Sequence, residues 1–279
     1  MEQKNVGDFV KFQNSWIFSS STAVGAENVT DNGSRFTVNL DNPISVPRGS
    51  VNCTLEVQQA SIWYVSPNIS AEIGNNKFYF AQGASNYVIT IPDGLYSVSG
   101  LNALISRELS NLGLNSDQII LSGDNSTQKT VFTFPYAGTQ IDFTQSDTPR
   151  EILGFNSRLS PAAPSVAGES DTGDVVAAFN QLNSWLIHST LANNGIPLNN
   201  TGANIIAKVP ITVSAGLQEN YTPVNPTQTA TPELIGNSIS SINVWLTDQD
   251  NRPIDTFGEI FDVVIVLKWY YPTRTGMNV

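Results

Sequence analysis

The chain has 279 residues, 40% of them apolar and only 13% charged, and its formal net charge is −11. That length supports a core without a disulfide or metal staple, and the charged share is about half the usual one, with Asn, Ser, Thr and Gln in its place. The 13 basic residues form no Lys/Arg run, which argues against a nucleic-acid clamp, because such binding is driven by neutralising phosphates.

The start, "MEQKNVGDFVKF", lacks a charged-then-apolar leader, and no run reaches the ~20 apolar residues of a membrane helix. Cys53 is the sole cysteine and sits in an alternating apolar run, so it reads as an inert core thiol. Together these features predict a soluble protein made in a reducing cytosol, without membrane insertion.

Taken in chain order, "SWIFSS" (15–20) is an apolar knot between polar flanks, either a first core strand or an arm that docks on another subunit. "RFTVNL" places Phe36, Val38 and Leu40 on one face, and Pro43, Pro47 and Gly49 punctuate the residues after it. "VNCTLEVQQASIWYV" (51–65) alternates Val51, Cys53, Leu55 and Val57 against Asn52, Thr54, Glu56 and Gln58; its length predicts a bulge near Gln59–Ala60. "NKFYFA" and "NYVITI" flank "QGAS", a hairpin signal.

One helix is clear. Leu101, Leu104, Ile105, Leu109 and Leu112 recur at helical spacing, with Ser97 or Ser99 as N-cap and Gly113 as the stop. The stripe is narrow, so the helix should lie on a sheet with its other side wet. Short strands come next at 119–122, 130–136 and 140–144. Residues 148–155 read as a helical turn opened by Pro149 and closed by Gly154. Residues 156–174 have no period, and the 156–180 region is expected to be an exposed, mobile loop. Strands resume at 183–192 and 204–216, and the chain closes with "SINVWLTD" (241–248) and "GEIFDVVIVLKWYY" (258–271). Roughly eleven strands, one good helix and no repeat predict an all-β protein: a single jelly-roll sandwich over 23–271 with loop insertions and a surface helix, an N-terminal arm at 1–22 and a tail at 272–279.

Candidate chemistry is sparse. "NVWLTDQDNRPID" resembles a calcium loop until its fifth and sixth positions, counted from Asp248, turn out to be Arg252 and Pro253. It reads as a hairpin tip between strands. His188, the only histidine, has no second His or nearby Cys and no framed serine, so it reads as a structural histidine; a Ser–His–Asp triad assembled in space is the competing hydrolase reading. Gly94 in "IPDGLYS" stands alone and makes no phosphate loop. Trp63, Tyr64, Trp245, Trp269, Tyr270 and Tyr271 form either core and subunit contacts or a sugar-stacking platform. No catalytic residue, metal or cofactor is expected.

The order of four stretches carries a likeness. "VNCTLEVQQASIWYVSPNIS", "YVITIPDGLYSVSGLNALISREL", "REILGF", and "NYTPV" followed by "ISSINVWLTDQDNRPIDTFGE" with its apolar strand resemble the penton-type, single-jelly-roll minor capsid proteins of virophages and polinton-like viruses, in the adenovirus-like lineage. The same stretches also resemble half of a double-jelly-roll major capsid protein, but 279 residues with long loops leave little room for two rolls.

The resemblance implies a structural virion protein rather than an enzyme: a vertex subunit that forms a homopentamer, contacts the major capsid protein and meets a host receptor, made in the host cytoplasm. A trimeric major capsid protein and a carbohydrate- or receptor-binding sandwich are the alternatives. The "SWIF" arm and "WYYPTR" tail are expected to reach beyond the sandwich onto neighbours, with Trp16, Ile17, Phe18, Trp269, Tyr270 and Tyr271 as interface residues.

Overall fold

The computed structural model describes residues 9–180, 182–193, 195–199 and 204–272. In chain order the strands are β1 (Phe9–Ser19), β2 (Ala26–Thr30), β3 (Arg35–Ser45), β4 (Val51–Trp63), β5 (Lys77–Gln82), β6 (Ser85–Thr90), β7 (Ile120–Asp124), β8 (Lys129–Phe134), β9 (Thr139–Asp142), β10 (Leu159–Ser160), β11 (Glu169–Thr172), β12 (Ser184–Ser189), β13 (Ile205–Pro210), β14 (Gln218–Tyr221), β15 (Thr229–Ala230), β16 (Ser238–Thr247) and β17 (Asp262–Pro272), with helices α1 (Val98–Asn111) and α2 (Arg150–Leu153).

Where the sequence reads as one roll from 23 to 271, the chain divides into two compact units: Ser66–Gln181, and the flanking stretches on either side of it. Both units are written in the same alternating β text with no linker between them, so pairing partners, not composition, draw the boundary.

The flanking unit is a jelly roll, and its strand order establishes this. One sheet runs β1-β17-β4-β14, with β15 also on β4; the other runs β13-β12-β16-β3-β2. Number the main strands in chain order as β1, β3, β4, β12, β13, β14, β16 and β17. The first sheet then holds the first, eighth, third and sixth, and the second holds the fifth, fourth, seventh and second, the interleaving of a two-Greek-key sandwich. Alternation supplies the core. Phe36 of β3, Val244 and Leu246 of β16, and Val263, Ile265 and Leu267 of β17 are buried, and Phe36 meets Phe261 edge-on across the sheets at 5.3 Å. The bulge in β4 lies one step from its predicted place: Val264 pairs with Gln59 but Ile265 with Val57, so Gln58 is the extra residue.

Three expectations are corrected here. The arm and tail do not leave the sandwich within the described residues: β1 pairs with β17 from Phe9↔Pro272 to Ser19↔Asp262, because both alternate and the match buries Phe18 and Trp269. Residues 1–8 and 273–279 lie outside the described residues. The turn at 248–252 does not join a hairpin of β16 and β17, since the roll's interleaving puts these strands in different sheets. Finally, the 156–180 stretch is tied down rather than loose.

Within the Ser66–Gln181 unit, the sheets β10-β9-β5-β6 and β11-β8-β7 and helix α1 enclose a core that includes Phe78, Phe80, Phe132, Phe143 and Phe155. The Ser97 hydroxyl caps α1 by accepting from Gly100 N at 3.1 Å, and the buried face carries Leu101, Leu104, Ile105 and Leu109 as the spacing predicts, while Leu112, the fifth of that stripe, is the C-cap and exposed. Gly154 ends α2 in the left-handed region at φ 75°, where a Cβ would collide with the Val175 carbonyl.

Arg158 holds the aperiodic stretch in place. Its guanidinium donates to Asp171 Oδ2 at 2.6 Å and Asp174 Oδ2 at 3.0 Å and lies 5.0 Å over the Phe155 ring. Asp171 also accepts from the Ser160 hydroxyl at 2.7 Å, and Asp174 from Asn156 N at 2.8 Å. Sequence periodicity is blind to such a network because it has no period. Removing the hub leaves two carboxylates facing each other, so Arg158→Ala should cost about 1–3 kcal/mol. Limited proteolysis is the check: cleavage within 156–174 should be several-fold faster than in the wild type.

Candidate assembly surface

Strand β1 is the edge of its sheet, bonded to β17 on one side and to no other strand among the described residues. A long edge strand presents a row of free backbone N–H and C=O groups, and natural proteins usually blunt such edges with charge. Here Lys11 is the one charge on a strand that exposes Phe9, Val10, Phe12 and Ile17.

The six residues singled out from the sequence lie on the paired strands β1 and β17 but not together, Trp16–Phe18 standing opposite Ile265–Val263 and Trp269–Tyr271 opposite Phe12–Val10 further along, and they differ in exposure. Phe18 and Trp269 are buried inside the unit, Trp16 and Tyr270 are half-buried, and Ile17 and Tyr271 are exposed, Ile17 to 74%. Phe12 stacks on Trp269 with ring centroids 5.8 Å apart and planes within 11°. Phe9, Val10 and Phe12 escaped the sequence reading. The "FVKF" stretch carries only a short alternation broken by Lys11, and its exposure comes from an edge position that long-range pairing decides.

On the sheet face that carries Lys11, a trough of about 540 Å³ is lined by Lys11, Thr54, Gln228, Pro232, Lys268 and Tyr270, among others. Lys268 is neutralised there by an ion pair with Glu56, whose side chain is 7% exposed. Cys53, also at this trough, has its thiol pushed up by burial, so little of the reactive thiolate forms.

The residues that could have signalled chemistry are satisfied internally. At the 248–252 turn, Asp248 Oδ1 accepts from Asp250 N at 2.9 Å and Arg252 N at 2.8 Å. Arg252 Nε donates to Asp248 Oδ2 at 2.8 Å and its Nη2 to Asp250 Oδ2 at 2.7 Å. A guanidinium thus holds the carboxylates that a cation would otherwise bridge. No group of three or more His, Cys, Asp and Glu is arranged to hold a metal among the described residues. The aromatics share no platform: Tyr64 is edge-on to Trp185 at 6.1 Å, while Trp245 and Trp269 belong to different sheets.

His188 lies in a row across three strands, where Trp245 pairs with Arg35 on one side and with His188 on the other. The imidazole stacks on the Trp245 ring at 4.9 Å, the Arg35 guanidinium sits 4.6 Å from the same ring, and His188 Nε2 is 2.9 Å from the Thr247 hydroxyl. Burial first, and Arg35 second, lower the histidine from 6.5 to about 4. No carboxylate touches the ring in this row, so the triad geometry is not assembled around it.

No family model and no curated protein matches the chain. Among solved structures, the crystal structure of the selenomethionine-labelled mavirus penton protein is similar over 94% of this chain and 99% of that one, at 9% identity and a TM-score of 0.44. The jelly roll is established by the strand order.

The histidine gives a pH signature. Its folded pKa of about 4 lies below the ordinary 6.5, so the unfolded chain takes up the proton first. Stability is full above pH 6.5 and falls as pH drops from 6.5 towards 4, by about 3 kcal/mol for this one group. Urea melts of wild type and His188→Gln across that window should differ in slope, the variant lacking this component; parallel profiles would contradict the assignment.

Proposed function

We propose that the chain is a structural virion protein, a penton-type vertex subunit of an icosahedral capsid that assembles as a homopentamer and contacts the major capsid protein. The observation that carries the reading is a jelly roll whose first strand leaves an 11-residue edge with exposed apolar side chains on a chain only 13% charged. Charge is depleted where protein surfaces meet, and exposed apolar clusters mark contact sites. The likeness of the four sequence stretches to penton-type minor capsid proteins points the same way.

In this reading Trp16, Ile17, Tyr270 and Tyr271 contribute to subunit contacts, with Phe18 and Trp269 supporting them from within. A closed ring of five requires each copy to offer two different patches. The formal charge of −11 suits a surface turned outward or towards protein, not towards packaged genome. A host receptor is the further partner of this reading, and the site of synthesis is the host cytoplasm.

The trimeric double-roll alternative is disfavoured because the Ser66–Gln181 unit offers sheets of four and three strands, short of a second eight-stranded roll. The sugar-binding alternative is disfavoured because Trp245 lies in the other sheet and Trp63 stands at the far end of β4 from the Val51 that pairs with Tyr270. Light scattering on the purified full chain should give five times the 30.2 kDa chain mass, with five-fold rings in electron micrographs. A threefold mass would favour the trimeric capsomer, and a monomer at all concentrations would end the shell reading.

A further inference from the structure

The loop that leads into β17 presents an aromatic ring in an uncommon way. Phe257 has φ 57° and is followed by Gly258 at φ 79°, yet its ring is 53% exposed. A bulky non-glycine residue in the left-handed region is an outlier that persists only where its surroundings fix it, and such positions cluster at functional contacts. The fixing groups are visible. Phe257 N donates to Asp255 Oδ1 at 2.6 Å, and Glu259 N donates to the Thr256 carbonyl at 3.0 Å. The buried Thr256 hydroxyl donates to the Asn32 carbonyl at 2.8 Å. The turn is therefore anchored on both sides of a ring that faces water, with Ile260 exposed beside it.

A second exposed aromatic, Phe9, shares one face of β1 with Lys11, while Val10 and Phe12 point to the other; it lies at the other end of the β1–β17 pair, where Phe9 sits opposite Pro272, whereas the loop joins at Asp262 opposite Ser19. At the usual strand rise the two ends are about 33 Å apart, too far for one copy to satisfy both. Their charges are opposite. The loop carries Asp255 and Glu259, the strand end carries Lys11, and none of the three makes an ion pair among the described residues.

We propose that the 255–260 loop of one copy docks on the Phe9 end of β1 in a second copy, Phe257 packing on Phe9 while Glu259 faces Lys11. This rests on the reading that the chain assembles with itself, and deepens it by naming the two unlike patches. The partner is a copy of this chain because the apolar areas and opposite charges needed on the two sides are both present on it.

Light scattering and sedimentation of Phe257→Ser, Phe9→Ser, Lys11→Glu and Glu259→Lys in the full chain test the assignment, with thermal melts to confirm folding. Each substitution should weaken assembly at least tenfold relative to the wild type, and Lys11→Glu combined with Glu259→Lys in one chain should restore it. An equimolar mixture of Phe257→Ser and Phe9→Ser should form a 1:1 dimer and stop there, since one intact loop meets one intact strand end. Folded variants that assemble like the wild type, or a mixture that stays monomeric, overturn the docking while leaving the assembly reading in place. A wild type that is itself monomeric removes both. A wild-type dimer dissolved by the same substitutions keeps the docking and removes the pentamer.

Discussion

The flanking unit depends on the burial of β17 between β1 and β4. Its eleven residues pair along both edges, and Val263, Ile265, Val266 and Leu267 are each at most 1% exposed. At about 1.5–3 kcal/mol for each fully buried aliphatic side chain, these four contribute roughly 6–12 kcal/mol, comparable to the whole net stability of a domain. The strand also closes the roll, since the eighth strand is the one that links the first to the third. The bulges in its pairing, at Val264/Ile265 and Lys268/Tyr270, let the straight aliphatic run of β17 track a longer, twisted β4 without moving its apolar face outward.

Several ionisable groups of the two units are neutralised in place. Arg252 fills the carboxylate turn, Lys268 faces Glu56, Arg158 binds two aspartates, and His188 is kept uncharged beneath Trp245. What these residues leave open is surface: an apolar strand edge and an anchored loop with an exposed ring.

Much of this was legible locally. Residues 53–55 and 242–246 alternate because one face of each strand is wet and the other dry, whereas Val38 and Leu40 are only half-buried, Val51 is exposed and Glu56 is buried against the pattern. Ser97, the leucine stripe and Gly113 mark α1 because capping and helical period are short-range effects. The division into two units was not legible, since β4 continues into Ser66 without any change of composition and only the return at β12 shows that the roll has been interrupted. Nor was the edge. Whether Phe12 is covered or bare depends on whether another strand lies beyond β1, a fact held by the topology rather than by residues 9–19. The 156–174 segment misled for a related reason: Arg158, Asp171 and Asp174 have no spacing that a period could detect, although their chemistry is ordinary.

The interruption also orders the making of the molecule. Ser66–Gln181 is continuous in the chain, so it can bury its phenylalanine core while the ribosome is still adding the rest, as domains folding during synthesis do. Strand β1 emerges first of all the described strands and must wait for the last of them, β17, before it has a neighbour. Throughout elongation, then, the most apolar stretch near the N-terminus is a nascent strand without a mate. Holding it out of reach of other nascent chains is a burden this topology places on the translating cell.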